Sequence, residues 1–404
     1  MTRIGFAYNQ KPEQSALIGT EATAHAGTVE DGELSHLTEE IPGDSDEFAE
    51  WDSIGTIDAV ASALSALGEV IRLEADEHFP QRLRDAKPDI VFNIAEGWNG
   101  VNREAHVPAI CEFYGIPYSG SDPLTLSLCL DKARTKETLS YHGIPTARFV
   151  VVRDVSEITR ATKSLALPLF VKPVHEGSSK GITERNFCRT LSELEAQTGF
   201  LLTTYQQPVI VEEYLPGAEF TCAVLGNGKT AKVLPIVGMN FASLPDGALP
   251  IYGFEAKWIW DRPENPLQMF DCPAGIDAAL TRAIERVTLE AYRVLGCRDW
   301  SRIDVRLDAA GAPNVVEVNP LPGILPDPAD NSCFPKAARA AGISYDELIQ
   351  SCLKLAAARQ RVPLARHLRK VRNTSKTASR PRAARPRKFD GPAAGDSVSN
   401  RLSA

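Results

Sequence analysis

The sequence lacks any apolar run of the roughly 18 to 20 residues that a transmembrane helix requires. Its first residues, Met1 to Tyr8, also lack the apolar core of a secretory signal peptide. We therefore expect a cytoplasmic protein without a membrane partner. The composition is otherwise that of an ordinary globular protein, and 404 residues are enough for two or three domains.

Paired cysteines are also missing. The eight cysteines are spread singly, with no CxxC or CxxH spacing, which argues against a disulfide framework and against a zinc site. The sequence places no base beside Cys297 or Cys333, so nucleophilic catalysis by cysteine is not expected either.

Positive charge is scarce in the body of the chain and concentrated at its end. Residues 356–404 carry 13 Lys/Arg and two acids, whereas the body carries 31 basic and 50 acidic side chains. With few large apolar residues, this tail is predicted to be disordered. Such a tail could touch nucleic acid or a membrane by electrostatics alone. A solvated appendage is the simpler interpretation, and no specific nucleic-acid partner is expected.

Residues 9–50 are polar, Gly-rich and acidic, and most of this segment is also interpreted as mobile.

Strands alternate with helices early in the chain. The pattern predicts strands at 3–8, 69–73 and 89–94, with helices near 53–67 and 79–86. This alternation predicts an α/β fold that begins with a parallel, Rossmann-like sheet. A long amphipathic helix is predicted at 275–295, with two final helices at 335–341 and 345–355. We divide the chain into domains at 1–125, 126–205 and 206–355, followed by the tail at 356–404.

A predicted antiparallel hairpin, 301–307 and 315–320, carries charged residues in strand alternation. Arg302, Asp304 and Arg306 share one face of its first strand. A turn centred on residues 310–311 places Asp304 opposite Glu317. Carboxylates about 5 Å apart repel unless a cation lies between them. Ordinary surface charge on a solvated hairpin is the alternative interpretation.

On the second strand, Glu317 is predicted to share its face with Val315 and Asn319, while Val316 and Val318 turn to the other side. Two carboxylates with an adjacent amide form an oxygen-only set, which suits Mg²⁺ better than Zn²⁺. This hairpin is therefore a candidate metal site.

Three further stretches place polar residues at strand ends. Lys172 ends an apolar strand and precedes the Gly/Ser loop 175–181, whose backbone N–H groups could surround phosphate oxygens. Acids at 212, 213 and 219 follow another strand and could accept hydrogen bonds from a base amine and ribose hydroxyls. The loop after 89–94, at the carboxyl end of a parallel strand, offers Glu96, Arg103 and Glu104 as substrate contacts or as surface and capping residues.

In order and spacing, these motifs resemble the ATP-grasp superfamily, and in particular the D-alanine-D-alanine ligase family. The resemblance covers about residues 88–355, including Gly-Ile-Pro-Tyr-Ser-Gly-Ser at 115–121 and Asp-Lys-x-x-Thr-Lys at 131–136. It implies an ATP-grasp fold, ATP with Mg²⁺ or Mn²⁺ as cofactors, small amino-acid substrates, and a homodimer by family habit. It also implies an enzyme that forms an amide through an acyl phosphate.

The resemblance also assigns roles to residues. It implies ATP contacts for Lys132, Lys172, Gly177, Ser178, Ser179, Glu212, Glu213, Leu215, Glu219 and Lys257. It implies metal ligation by Asp304, Glu317 and Asn319, and catalytic roles for Arg302 and Ser178.

Departures from the family pattern fall on the amino-acid side. Ala95-Glu96 stands where the family has a His-Gly loop, Trp258 where it has a tyrosine, and four extra residues precede Ser332. Glu96, Arg103, Glu104, Trp258 and Ser332 are therefore candidate substrate contacts. Three functions stay open: a D-alanine ligase, a ligase for other amino-acid or natural-product substrates, and a non-catalytic nucleotide-binding interaction protein.

Overall fold

The computed structural model describes residues 1–12, 48–245, 247–253, 256, 260 and 267–364. The strands are β1 Arg3–Tyr8, β2 Glu69–Glu74, β3 Ile90–Asn93, β4 Phe149–Val152, β5 Leu169–Pro173, β6 Phe187–Cys188, β7 Val209–Glu213, β8 Glu219–Leu225, β9 Lys232–Val233, β10 Val237–Met239, β11 Phe270–Asp271, β12 Trp300–Leu307 and β13 Pro313–Asn319. The helices are α1 Ile54–Ser65, α2 Phe79–Ala86, α3 His106–Tyr114, α4 Pro123–Leu130, α5 Lys132–Tyr141, α6 Ile158–Ala161, α7 Leu191–Tyr205, α8 Ala278–Val294, α9 Cys333–Ala340 and α10 Tyr345–Gln360.

The first sheet has the order β2-β1-β3, and both pairings are parallel. The predicted Rossmann-like parallel sheet is therefore confirmed. Helix α1 begins where the Ser53 side chain accepts a hydrogen bond from the Thr56 backbone N–H. Its apolar positions, among them Ile57, Val60 and Leu64, are buried against the sheet and α10. Most of the segment 9–50 predicted to be mobile, residues 13–47, lies outside the described residues.

Two antiparallel sheets follow. One has four strands in the order β4-β7-β5-β6, and the other has six, in the order β11-β10-β8-β12-β13 with β9 paired to β8. Trp300 at the start of β12 is fully buried and contacts Phe92 of β3 and Phe334 of α9, with ring centroids 5.6 and 5.8 Å apart. The first and third sheets thus share one hydrophobic core. In the part of the chain that the structure describes, no helix is long and apolar enough to cross a bilayer.

The predicted hairpin is β12–β13, and Asp304 pairs with Glu317 as expected. The register then shifts, because Val305 pairs with Val315 and leaves Val316 as the extra residue of a β-bulge. The predicted faces of Val315 and Val316 are therefore wrong. Val315 is fully buried in the core, whereas Val316 lines the cavity described below.

Two predicted domain boundaries cross regular structure. Residue 125 lies inside α4, a helix that the sequence analysis missed. This helix has Asp122 as its N-cap and Pro123 as its first residue. Helix α10 continues to Gln360, past the predicted start of the tail at 356, because Ala356 and Ala357 are buried in the core. Residues 365–404, the rest of the tail, lie outside the described residues. The three-domain division itself stays a prediction.

Candidate active site

A cavity of about 450 Å³ lies between the two antiparallel sheets and extends to the first sheet. It brings together most of the residues singled out in the sequence. Those lining it are Glu96, Glu104, Lys132, Lys172, Gly177, Ser178, Ser179, Glu212, Glu213, Leu215, Glu219, Arg302, Asp304, Glu317, Asn319 and Ser332. Arg103 is not among the residues that line the cavity. Lys257 and Trp258 lie outside the described residues.

Buried lysines at the cavity face carboxylates. Lys132, at the start of α5, lies with its Nζ 2.8 Å from Glu317 Oε1 and also donates to the Glu176 backbone carbonyl. Lys172, at the end of β5, lies 3.1 Å from Glu212 Oε1, and the fully buried Lys136 lies 3.4 Å from Glu212 Oε2. Burial alone would raise the pKa of Glu212, but the two lysines outweigh it and lower that pKa.

The two opposed carboxylates of the hairpin differ in their surroundings. Burial favours the neutral form of Glu317, but Lys132 and Lys172 lower its pKa to about 2. Asp304 accepts hydrogen bonds from Thr221 at 2.9 Å and from Arg302 at 3.1 Å. Even so, burial and then repulsion from Glu317 hold the pKa of Asp304 above its ordinary value. Asp304 is thus the carboxylate that a further cation would stabilise.

The acids predicted to meet the base and ribose also have protein partners. Glu219 of β8 lies 2.7 Å from Arg306 Nη1, and Arg306 Nη2 donates to the Tyr214 hydroxyl at 2.7 Å. The Arg306 guanidinium also lies 4.9 Å from the centre of the Tyr214 ring. The sequence pattern predicts that Arg306 shares a strand face with Arg302 and Asp304, but Arg306 is not among the predicted site residues. Its position on the same strand face as Arg302 was the signal that could have identified it as a cavity residue.

The cavity wall next to the first sheet is acidic. Glu96 and Glu104 line it together with Asp52. Burial, followed by repulsion from Glu50, raises the pKa of Glu104 to about 8. Burial likewise raises the pKa of Asp52 to about 7, opposed by Lys11. These side chains hold protons near neutral pH that ordinary carboxyl groups release.

This acidic wall predicts a pH effect on stability. The folded-state pKa of Glu104, about 8, lies above its ordinary value of 4.5. The folded protein therefore holds a proton that the unfolded chain releases as pH rises through that window, and stability falls as pH rises. Glu104→Gln should flatten this slope, measured by urea unfolding at pH 5.5 and 8.5. Glu195→Gln, on the exposed side of α7, is the control. Equal slopes in wild type and Glu104→Gln would contradict the prediction.

Sequence reasoning missed several cavity residues from the segment before α1, among them Glu50 and Asp52. Glu50 is paired at 2.9 Å with Arg103. Nothing local marked it, because it follows a long polar stretch without periodicity. Lys180 was also missed, although it lies inside the Gly/Ser loop and its charge was a usable signal.

The Gly/Ser loop, the paired lysines and the opposed carboxylates lie between two antiparallel sheets, preceded by a parallel sheet. This arrangement defines an ATP-grasp enzyme. The structure of a D-alanine–D-alanine ligase from Bacillus anthracis complexed with ATP matches the fold with a TM-score of 0.62 and 22% identity, over 89% of this chain and 99% of that one.

Sequence comparison assigns the chain to one family among the ATP-grasp enzymes. The family profile "D-ala D-ala ligase C-terminus" matches residues 138–354. A D-alanine–D-alanine ligase of Cupriavidus taiwanensis is 35% identical over 66% of this chain and 76% of that one. An uncharacterized protein, y4sG, of Sinorhizobium fredii is 35% identical over 76% of this chain and 88% of that one. The chain belongs to the D-alanine–D-alanine ligase family, whose members are ATP-dependent ligases.

Proposed function

We propose that the protein joins two amino acids by an amide bond in an ATP-dependent reaction. One observation carries the proposal: Arg302, the opposed pair Asp304 and Glu317, and the phosphate-side lysines Lys132 and Lys172 all line one cavity. Charge of both signs is thus concentrated where an anionic nucleotide and a carboxylate substrate would meet. The relatives named above support the same chemistry.

In the proposed reaction, a carboxylate oxygen of the first amino acid attacks the γ-phosphorus of ATP. The bond to the β-phosphate oxygen breaks, which gives an acyl phosphate and ADP. The amine of the second amino acid then attacks the acyl carbon, phosphate leaves, and the amine gives up a proton. Lys132, Lys172 and the backbone of residues 177–179 hold the phosphates, and Arg302 stabilises the oxyanion at the acyl carbon. Ser178, which also lines the cavity, is the second proposed catalytic residue.

A divalent cation fits the hairpin. Asp304 and Glu317 are directly opposed, Asn319 adds an amide, and the raised pKa of Asp304 marks a charge that lacks full compensation. Across the described residues no group of three His, Cys, Asp or Glu side chains could hold a metal, so the third ligand would be the amide. Mg²⁺ or Mn²⁺ bound there would neutralise charge on the β and γ phosphates.

The substrates are the less defined part of the proposal. D-alanine is the first candidate, which would give the enzyme a role in peptidoglycan precursor synthesis. The acidic wall of Glu96, Glu104 and Asp52 favours a second candidate, an amino acid or related compound other than D-alanine. Only the identity of the joined compounds separates the two, since the phosphate side of the cavity serves both.

The test is phosphate release from Mg-ATP, first with D-alanine and then with a panel of D- and L-amino acids, with product detection by mass spectrometry. Turnover above about 1 per second with D-alanine, together with its dipeptide, would identify a D-alanine ligase. Release with another amino acid would assign a specialised ligase. No release with any of them would leave the binding-protein alternative, in which Asp304→Ala keeps partner affinity.

The cytoplasmic location and the homodimer also belong to the proposal. Cell fractionation checks the location, and light scattering checks the oligomeric state.

A further inference from the structure

Four charged side chains form a buried network that includes two residues of the phosphate loop, residues 175–181. Arg103 Nη2 lies 2.9 Å from Glu50 Oε2 and 3.7 Å from Glu176 Oε2, and its Nη1 donates to the His175 carbonyl at 3.0 Å. Lys180 lies 2.8 Å from Glu176 and 3.9 Å from Glu50. Each of the four side chains is at most 12% exposed. The charges alternate, so each carboxylate contacts two cations.

This network joins separate parts of the chain. Arg103 precedes α3 in the parallel-sheet region and Glu50 precedes α1, whereas Glu176 and Lys180 belong to the phosphate loop itself. Arg103 is the one member that contacts both the loop backbone, at His175, and the segment before α1, at Glu50. Without its guanidinium, the 3.9 Å approach of Lys180 to Glu50 would be the one ion pair of this network that still joins the loop to the segment before α1.

The loop has a backbone that needs external support. Ser178 and Ser179 are consecutive non-glycine residues at positive φ, +49° and +63°. Such conformations persist only where surrounding contacts fix them. At Gly177 a Cβ atom would lie 2.4 Å from Glu50 Oε1, so the loop packs directly on the carboxylate that Arg103 holds.

We propose that Arg103 is a positioning residue that holds the phosphate loop over the nucleotide by clamping Glu50 to the His175 carbonyl and the Glu176 carboxylate. The inference rests on the proposed function, since the loop's task is to enclose the phosphates of ATP. It also replaces the sequence-based expectation that Arg103 contacts substrate: the guanidinium faces protein carboxylates and a carbonyl behind the cavity wall.

The first test replaces Arg103 with alanine and with lysine. Arg103→Ala should raise KM for ATP and lower kcat/KM by roughly 10- to 100-fold, because the loop is no longer held in its binding geometry. Arg103→Lys keeps the charge but cannot bridge Glu50 and His175 with a planar fork, so it should recover part of the loss. Arg82→Ala is the matched control, an arginine paired with Asp76 away from the cavity.

The second readout is local and needs no turnover. Hydrogen exchange of the Lys180 and Ile182 amides, which donate to Gly177 and Ser179 at 2.9 and 3.0 Å, should accelerate in Arg103→Ala without nucleotide. A purely structural arginine would lower the unfolding midpoint and leave both the KM for ATP and this local exchange unchanged. That result would overturn the proposal.

A third variant perturbs the same contact without removing a charge. Gly177→Ala should displace the Glu50 carboxylate and reproduce the rise in KM and the faster exchange. Gly199→Ala in α7, where the nearest atom would lie at an ordinary 3.5 Å, is its control.

If wild type turns over no ATP, the proposed function fails. Loop exchange and the affinity for a fluorescent ATP analogue then decide the role of Arg103 on their own, and unchanged values in both variants reject it.

Discussion

Asp304→Asn should lower the rate of ATP turnover by on the order of 10²- to 10³-fold. The substitution keeps the size of the side chain and a carbonyl oxygen that can accept the Thr221 hydrogen bond, but it removes the charge opposite Glu317. The proposed cation site then loses one of its two carboxylates. Phosphate release at saturating Mg-ATP and amino acid measures the loss.

The same variant should remain folded. Burial raises the pKa of Asp304, so neutralising this side chain relieves a cost that offsets part of the loss of its ion pair with Arg302. Asp271→Asn, on the exposed edge strand β11, is the control and should retain full activity. If Asp304→Asn kept wild-type turnover, the hairpin would have no part in the chemistry.

Arg359→Ala should reduce the free energy of unfolding by about 3–5 kcal/mol, because it leaves a buried charge without its partner. Arg359 Nη2 lies 2.8 Å from Oδ2 of Asp299, whose side chain is fully buried, and also donates to the carbonyls of Tyr118 and Gly120. The pair ties α10 to the residue directly before β12, the first strand of the hairpin. Urea unfolding monitored by tryptophan fluorescence checks the value.

The matched control is Arg134→Ala, which removes an exposed partner of Glu137 on α5. Exposed pairs of this kind contribute at most about 1 kcal/mol, so the two arginines should differ several-fold. Equal, small losses would show that Asp299 is stabilised mainly by its contacts with Asn227 and the Gly120 N–H.

Local patterns in the sequence were enough to predict the hairpin. Strand alternation and a Gly-containing turn predicted the pairing of Asp304 with Glu317, and both features are short-range. The bulge at Val316 was not predictable in this way, because it depends on how β13 packs against the core. The same limit applies to α10. The sequence pattern assigns Ala356 and Ala357 to the basic tail, whereas their burial depends on contacts with residues far away in sequence.

Glu50 shows a further limit of sequence reasoning. Its place in the site depends on Arg103 and on a close approach to Gly177, more than 120 residues away along the chain. A single acid after a long polar stretch carries no periodicity from which such a contact could be inferred. The roles given to Lys257 and Trp258 stay predictions.

The ion pairs of Lys132 with Glu317 and of Lys172 with Glu212 mean that the protein supplies its own counterions. In the reaction proposed above, nucleotide binding would therefore exchange these partners: phosphate would take the lysines, and a divalent cation would take the freed Glu317. Such an exchange links the two ligands: each should bind more tightly when the other is present, since either one alone leaves a buried charge uncompensated. Selectivity for the metal complex of ATP over free ATP would then follow from these internal ion pairs.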